Sequence, residues 1–158
     1  MFSWPNGGLK SGDRPEVISS IDLFPTALAA AGARIPDGVP GLNLLEDLQQ
    51  DKAIEREGIF GEGFAHDIAD VENPEASLLY RWRIEGKWKL LLTYDGEVNR
   101  YKSSHPREEM RPQLFDLSSD PHEKQNVAAE HPEVVADLAA KIEAWWPVQE
   151  RKTLVRFE

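Results

Sequence analysis

The strongest constraint on the fold is a change of pattern at Gly58. From there to Ser118 the chain contains four short runs rich in aliphatic and aromatic residues, each bounded by Gly, Asp or Pro. A helical repeat of apolar residues follows at 132–146, with Pro132 at its first position. The runs are GIFGEGF, LLYRWRIEG, KWKLLLTY and QLFDLS. This order predicts an α/β fold in the α+β sense: a small antiparallel sheet of about four strands covered by a C-terminal helix.

The two middle runs meet at Glu85-Gly86-Lys87, which favours a tight hairpin. Alternate residues of a strand share one face, so this hairpin separates two sets of side chains. Arg81, Arg83 and Glu85 are expected on one face, and Tyr80, Trp82 and Ile84 on the other. Trp82 and Trp88 are expected to pack, and Lys89 to be solvated.

Residues 1–56 have a different organisation, in which turns rich in Pro and Gly enclose two helical patterns. The first predicts a helix over about 20–31, with Asp22 near its positive end and Gly32 as its stop. The second predicts a short helix over about 43–50. The expected domain boundary therefore separates 1–56 from 57–158.

Composition excludes several classes of protein. The 158 residues are 41% hydrophobic and 29% charged, which is enough for a core and a polar surface. The net charge of −10 disfavours nucleic acid as a partner, although a local excess of basic residues over 80–111 could hold a small anion. The apolar stretch at 23–33 is too short to span a membrane. With no cysteine, disulfides, thiolate metal sites and Cys nucleophiles are excluded.

Three segments resemble the C-terminal part of the sulfatase family, within the alkaline-phosphatase-like superfamily. They are SWPNGGLKSGD at 3–13, SSIDLFPTALAAAGARIPDGVPGLNLLEDL at 19–48, and RWRIEGKWKLL at 81–91 taken with QLFDLSSDPHEKQNVAAEHPEVVADL at 113–138. The resemblance implies that 1–56, including the helical segment, is the end of the large alkaline-phosphatase-like domain. It implies that 57–158 is the smaller C-terminal subdomain.

The same resemblance implies a parent enzyme that is a formylglycine-dependent, calcium-binding arylsulfatase-like hydrolase. The family makes formylglycine from the Cys or Ser of a Cys/Ser-x-Pro-x-Arg motif, and no such motif occurs here. No Asp-x-Asp or Asp-His-Gly cluster occurs that would supply calcium ligands. We therefore expect no catalytic residue, no metal ligand and no cofactor in this chain, and an N-terminal sulfatase domain as its partner. MFSWPNGG lacks the features of a signal peptide, and a periplasmic or secreted location stays open for the full-length enzyme.

The resemblance leaves substrate recognition as the role of this part, with a sulfated small molecule or carbohydrate as the substrate. Pockets form preferentially at domain interfaces, and loop or strand residues with polar ends are the candidates. They are Glu62, His66, Asp67, Arg81 and Arg83. Arg81 matches the first Arg of the family's hairpin motif, whereas Ile84 stands where many members have a second Arg. The structural alternative is that a strand Arg pairs with a neighbouring acid such as Glu85.

Two other functions remain open at the level of sequence. A stand-alone, non-catalytic binding module would expose the apolar side of the helix at 20–31 and favour self-association. A phosphodiester or phosphonate hydrolase of the same superfamily is the second alternative. The segment after QLFDLS has a structural interpretation, in which Asp116 and Asp120 bind backbone N–H groups of a turn. Glu123 and Asn126 are then expected to enter a short helical turn.

Overall fold

The computed structural model describes residues 3, 4, 6–10, 12–64, 71, 72, 74–94 and 111–148. The chain divides into two compact units, Met1–Ile59 and Phe60–Glu158.

The second unit is built on a four-stranded sheet within the described residues. Its strands are β1 (Ile59–Phe64), β2 (Leu78–Glu85), β3 (Trp88–Thr93) and β4 (Gln113–Asp116), in the spatial order β1-β2-β3-β4. The pairs β2–β3 and β3–β4 are antiparallel. Gly86 has a φ of 55° in the turn between β2 and β3, a conformation that glycine adopts without steric cost. The predicted fold class and hairpin are confirmed.

Helix α3 (Pro132–Trp145) covers one face of this sheet. Proline at the first position suits a helix start because the missing N–H would have no intrahelical partner there. The buried core joins Leu90 of β3 and Leu114 of β4 to Leu138 and Ile142 of the helix. These four apolar side chains fix the helix on the sheet by removing their surface from water.

The face under α3 carries two arginines as well as leucines. Arg83 lies opposite Leu90 in the β2–β3 register, and directly paired residues point to the same side of a sheet. Arg81 and Arg83 are both buried, whereas Tyr80, Trp82 and Ile84 are only partly buried. The predicted alternation is therefore correct, and the face with the charges is the one that the helix covers.

Two glycines of β1 allow aromatic rings to lie against its backbone. A Cβ at Gly61 would come within 2.2 Å of the Trp82 ring, and one at Gly63 within 2.2 Å of the Tyr80 ring. Both distances are far shorter than van der Waals contact, so any larger side chain would displace the ring. The rings of β2 thus occupy the space that side chains of β1 would otherwise fill.

The segment after β4 is held by side-chain acceptors, as predicted for Asp116 and Asp120. Asp116 accepts from the backbone N–H of Ser118 at 3.0 Å, and Asp120 accepts from those of Lys124 and Gln125 at 2.7 and 2.8 Å. These contacts satisfy backbone donors that have no partner in a helix or strand.

The expected helical turn at Glu123 and Asn126 is wrong. Glu123 has a φ of 54°, and both of its carboxylate oxygens accept from the Lys89 ammonium at 2.7 Å. Lys89 is therefore paired rather than solvated. The Asn126 amide oxygen accepts from the backbone N–H groups of Leu114 and Ala128. Specific side-chain bonds, and not helical repeats, determine this segment.

The first unit contains α1 (Leu23–Ala30) and α2 (Leu45–Gln50). A short 3₁₀ turn at Ser20–Asp22 precedes α1, so the predicted helix exists and its first turn is tighter than an α-helix. Gly32 ends it with a φ of 68°, and the N–H of Ala33 bonds the Leu28 carbonyl at 2.9 Å. This is the left-handed glycine stop that the sequence predicts.

Asp22 and Thr26 bind α1 to the segment at 42–44. The buried Asp22 carboxylate accepts from the backbone N–H of Leu42 at 2.8 Å, and the Thr26 hydroxyl accepts from that of Leu44 at 3.0 Å. Residues four apart share one helix face, which is why the acid and the hydroxyl act together. Asp22 also accepts from Arg56 at 2.6 Å and from the N–H of Ser19 at 2.8 Å.

The opposite side of α1 is apolar and exposed within the first unit. Leu23 and Phe24 keep 53% and 56% of their surface accessible, whereas Pro25 and Thr26 are buried. Within the described part of the chain, no helix is both long and apolar enough to cross a bilayer.

Candidate functional site

Arg81 lies in β2 under the C-terminal end of α3 and is 2% exposed. Its guanidinium donates to the Glu143 carboxylate at 2.8 Å and to the Tyr94 hydroxyl at 2.6 Å. It also donates to the backbone carbonyls of Ile142 and Trp146. The Ile142 carbonyl also accepts from the backbone N–H of Trp146 at 3.1 Å. Carbonyls at the C-terminal end of a helix carry partial negative charge, so a buried cation is stabilised there.

Arg83 lies two residues along the same strand and is also buried. It donates through two nitrogens to one Glu85 carboxylate oxygen, at 2.7 and 2.6 Å, and its guanidinium lies 4.3 Å from the Phe60 ring centroid. Lys141 of α3 donates to the other Glu85 oxygen at 2.8 Å. Partial burial would raise the pKa of Glu85, but the hydrogen bonds from Lys141 and Arg83 outweigh it and lower the pKa.

The alternative interpretation, in which a strand arginine pairs with Glu85, is therefore confirmed for Arg83. Both arginines have protein acceptors on the face that α3 covers. A direct contact of either one with a substrate stays a prediction.

Glu62 lies in the middle of β1 and is exposed. By strand alternation its side chain is on the same side as those of Phe60 and Phe64, opposite the two glycines. The chain continues from Phe64 into residues 65–70, and the two remaining candidates, His66 and Asp67, lie there outside the described residues. The structure thus describes Glu62, Arg81 and Arg83 and brings the two arginines together under α3.

An aromatic group next to Glu62 was not singled out as a site by the sequence. We call it the aromatic platform; it consists of Phe60, Phe64, Trp145 and Trp146. Phe60 and Trp145 stack with centroids 4.9 Å apart and planes 10° from parallel, and Phe64 lies 6.0 Å from Trp146. The sequence contained the evidence for this platform: two Phe residues lie four apart in β1, and two consecutive Trp residues end the apolar stripe of the predicted helix.

An open groove of about 540 Å³ lies at the other end of the helix, between the β2–β3 turn and the first half of α3. Trp88, Val134 and Leu138 supply its apolar lining, with Glu85, Glu133 and Asp137 around them. The lining includes none of Glu62, Arg81 and Arg83. The described residues contain no group of three or more His, Asp or Glu side chains that could hold a metal ion.

Comparisons with known proteins identify the family. The chain is 32% identical over 128 residues to arylsulfatase K of Xenopus laevis, a match that spans 80% of the chain and 22% of that protein. It is 28% identical over 143 residues to N-acetylgalactosamine-6-O-sulfatase of Bacteroides thetaiotaomicron, over 89% of the chain and 25% of that protein. The chain belongs to the sulfatases, as the C-terminal part of one.

Solved structures agree with this sulfatase assignment. A Bacteroides thetaiotaomicron protein from a locus for glycosaminoglycan metabolism matches with a TM-score of 0.53 and 27% identity, over 78% of this chain and 24% of that one. A 2-O glycosaminoglycan sulfatase has the same fold over 78% of this chain and 23% of its own, with a TM-score of 0.57 and 18% identity. The sulfatase chain spans 20–25% of the length of the curated relatives it matches. No family model matches it.

Proposed function

We propose that this chain forms one wall of the substrate pocket of a sulfatase that hydrolyses sulfate esters of a carbohydrate or an aryl alcohol. In this proposal the residues that break the ester belong to a preceding catalytic domain. The chain alone then binds substrate weakly and releases no sulfate.

One observation carries the proposal: the similarity spans 80% of this chain but 22% of the arylsulfatase K of Xenopus laevis. The chain also lacks the Cys/Ser-x-Pro-x-Arg motif that the family uses to make formylglycine. An aldehyde hydrate of that residue would supply the nucleophile. Calcium, with six or more oxygen ligands, would not fit the described residues, because they contain no cluster of acids and histidines that converge on one point. Both groups are therefore assigned to the rest of the parent enzyme.

The exposed side of α1 supports the proposed domain partner. Leu23 and Phe24 present apolar surface that water would solvate poorly. In the alternative of a stand-alone binding module, a second copy of the chain would cover the same surface. We favour a catalytic domain because the matched segment makes up only 20–25% of the length of the curated relatives. Phosphodiester or phosphonate hydrolysis is the other alternative, and the names of the relatives favour sulfate esters.

Three measurements test the proposal. The coding sequence upstream of Met1 is expected to encode a domain with Cys/Ser-x-Pro-x-Arg; a stop codon immediately before Met1 would support the stand-alone module. The protein with that domain is expected to release sulfate from N-acetylgalactosamine 6-sulfate or 4-nitrocatechol sulfate, and the 158-residue chain to release none. Hydrolysis of a phosphodiester and not of either sulfate ester would overturn the assigned chemistry.

A further inference from the structure

The rings of the aromatic platform are held in fixed positions by their neighbours. The Phe60 ring contacts both the Arg83 guanidinium, 4.3 Å from its centroid, and the Trp145 indole, 4.9 Å from it. Trp145 and Trp146 meet edge to face with centroids 6.2 Å apart. A surface that is already ordered loses little conformational entropy when a ligand binds to it.

The platform is also open to solvent among the described residues. Trp145 is 40% exposed and Phe64 is 36% exposed. Partly exposed aromatic groups that lie together beside polar side chains mark binding surfaces.

A carboxylate lies beside these rings on the same strand face. Glu62 is exposed between Phe60 and Phe64 along β1, and among the described residues it has no hydrogen bond or ion pair. An ionised carboxylate only accepts hydrogen bonds, so it suits hydroxyl donors and repels a sulfate group. An apolar partner surface docked on these rings would have to bury the Glu62 charge without a partner, which is costly.

We infer that the aromatic platform and Glu62 form a subsite for the unsulfated face of a pyranose ring. One face of such a ring presents C–H groups that can stack on an indole or phenyl ring, and its edge presents hydroxyls that can donate to Glu62. The inference rests on the proposed function, since the sugar is a part of the substrate. The charge of Glu62 directs the sulfate away from this subsite, so the reacting ester lies elsewhere in the pocket.

Saturation-transfer NMR on the 158-residue chain tests the inference, because it detects millimolar binding and reports which sugar protons touch the protein. The probes are N-acetylgalactosamine and its 6-sulfate. We expect the strongest transfer to ring C–H protons of both sugars, and weaker transfer to the C6 protons beside the sulfate.

Trp145→Leu keeps an apolar side chain and removes the stacking face, so affinity is expected to fall about tenfold. Phe64→Leu and Glu62→Gln are expected to weaken binding several-fold. The matched control is Trp4→Leu, which also replaces a partly exposed tryptophan. Trp4 is 38% exposed and belongs to the first unit, so this substitution is expected to leave binding unchanged. If Trp145→Leu disturbs the amide spectrum, Phe64→Leu and Glu62→Gln decide the result alone.

The outcomes separate the inference from the proposed function. Sugar binding that is unaffected by the platform variants overturns the subsite and leaves the pocket wall intact. No binding of either sugar, even at millimolar concentration, overturns the subsite, whereas the proposed function is overturned only by the sulfate-release assay. Transfer mainly to the C6 protons of the sulfated sugar places the sulfate, and not the ring, at the platform and also overturns the inference.

Discussion

The Arg81 guanidinium of β2 donates to the Glu143 carboxylate of α3 at 2.8 Å, although 62 residues separate them in sequence. Arg81 is 2% exposed and its partner is about half exposed. The cation is therefore the buried member of the pair, and the carbonyls at the helix end share it with the acid. The contact fixes the C-terminal end of α3 to the sheet.

Arg81→Met is expected to lower the free energy of unfolding by about 2–4 kcal/mol. The physical reason is that the carbonyls of Ile142 and Trp146 and the hydroxyl of Tyr94 all lose a buried donor. Urea unfolding followed by near-UV circular dichroism measures the loss. Glu143→Gln is the control, since a half-exposed acid contributes about 0–1 kcal/mol to an ion pair. Equal losses of stability for Arg81→Met and Glu143→Gln would contradict the conclusion that the hydrogen bonds from Arg81 to the two carbonyls and to Tyr94 supply most of the stabilisation.

Leu90→Ala is expected to destabilise the second unit by about 2–5 kcal/mol. Leu90 is fully buried against Leu114, Leu138 and Ile142, so truncation leaves a cavity where the sheet meets α3. The difference in free energy of unfolding is obtained from the urea midpoints of the wild type and the variant, provided that both unfold with the same dependence on urea concentration. Val71→Ala, at an exposed position of the same unit, is expected to change stability by less than about 0.5 kcal/mol. A loss of stability below about 1 kcal/mol for Leu90→Ala, well under the range for a core leucine, would show that the core lies elsewhere.

Gly61→Ala is expected to cost about 1–3 kcal/mol, because the new methyl group would overlap the Trp82 ring. Gly12→Ala is the control, since its added Cβ meets nothing within 4 Å. Trp82→Leu replaces the ring with a smaller side chain, so Gly61→Ala should cost less stability in the double variant than in the wild-type background. Chemical denaturation of the two single variants and the double variant measures this coupling. Strictly additive effects would mean that Trp82 is not what limits position 61.

Asp22 is expected to make the first unit sensitive to acid. Burial would raise the pKa of Asp22, but hydrogen bonds from Arg56, Ser19 and Leu42 outweigh it and hold the pKa below 3.8. The folded state therefore binds this proton more weakly than the unfolded state. The stability that this carboxylate contributes is present at pH values above 3.8, the ordinary pKa of an aspartate. It is lost as the pH falls through the lower pKa that Asp22 has in the folded state.

NMR titration of the Asp22 carboxyl carbon measures this shift, and its midpoint is expected below 3.8. Asp22→Asn should reduce the loss of stability of the first unit between about pH 5 and pH 2. A midpoint at or above 3.8 in the wild-type chain would contradict the prediction, whatever the variant does.

Local signals made the elements of the second unit predictable. Pro132 marks the start of α3, and Gly86 supplies the positive φ that the hairpin turn requires. These residues act through their own backbone preferences, which tertiary contacts do not change. The glycine stop at Gly32 was predictable for the same reason.

The burial of each face was less predictable. Arg81 and Trp82 are both long amphipathic side chains, and either can cover apolar surface while its polar end finds a partner. The choice depends on α3, which brings Glu143 and its terminal carbonyls to Arg81 from far along the chain. Lys89 is a second example, since its partner Glu123 needed an unusual backbone conformation.

The candidate site was predictable only in part. Sequence alone selected Glu62 because the two glycines of GEGFAHD favoured a loop rim after a strand, whereas the structure places Glu62 inside β1. It did not select the neighbouring rings, because an apolar stripe on a helix looks the same whether its last residues are buried or exposed. Trp145, the last residue of α3, stacks on Phe60 of β1, a contact that helical periodicity alone does not indicate.

Glu123 combines a left-handed backbone conformation with a side chain that binds Lys89. Its backbone occupies the left-handed region, where glycine would be less strained, while its carboxylate holds the Lys89 ammonium with both oxygens. Glycine at this position would relieve the backbone and leave the lysine without its acid. Positions 89 and 123 are therefore expected to covary among homologous chains, with lysine accompanying an acid and an uncharged residue accompanying glycine.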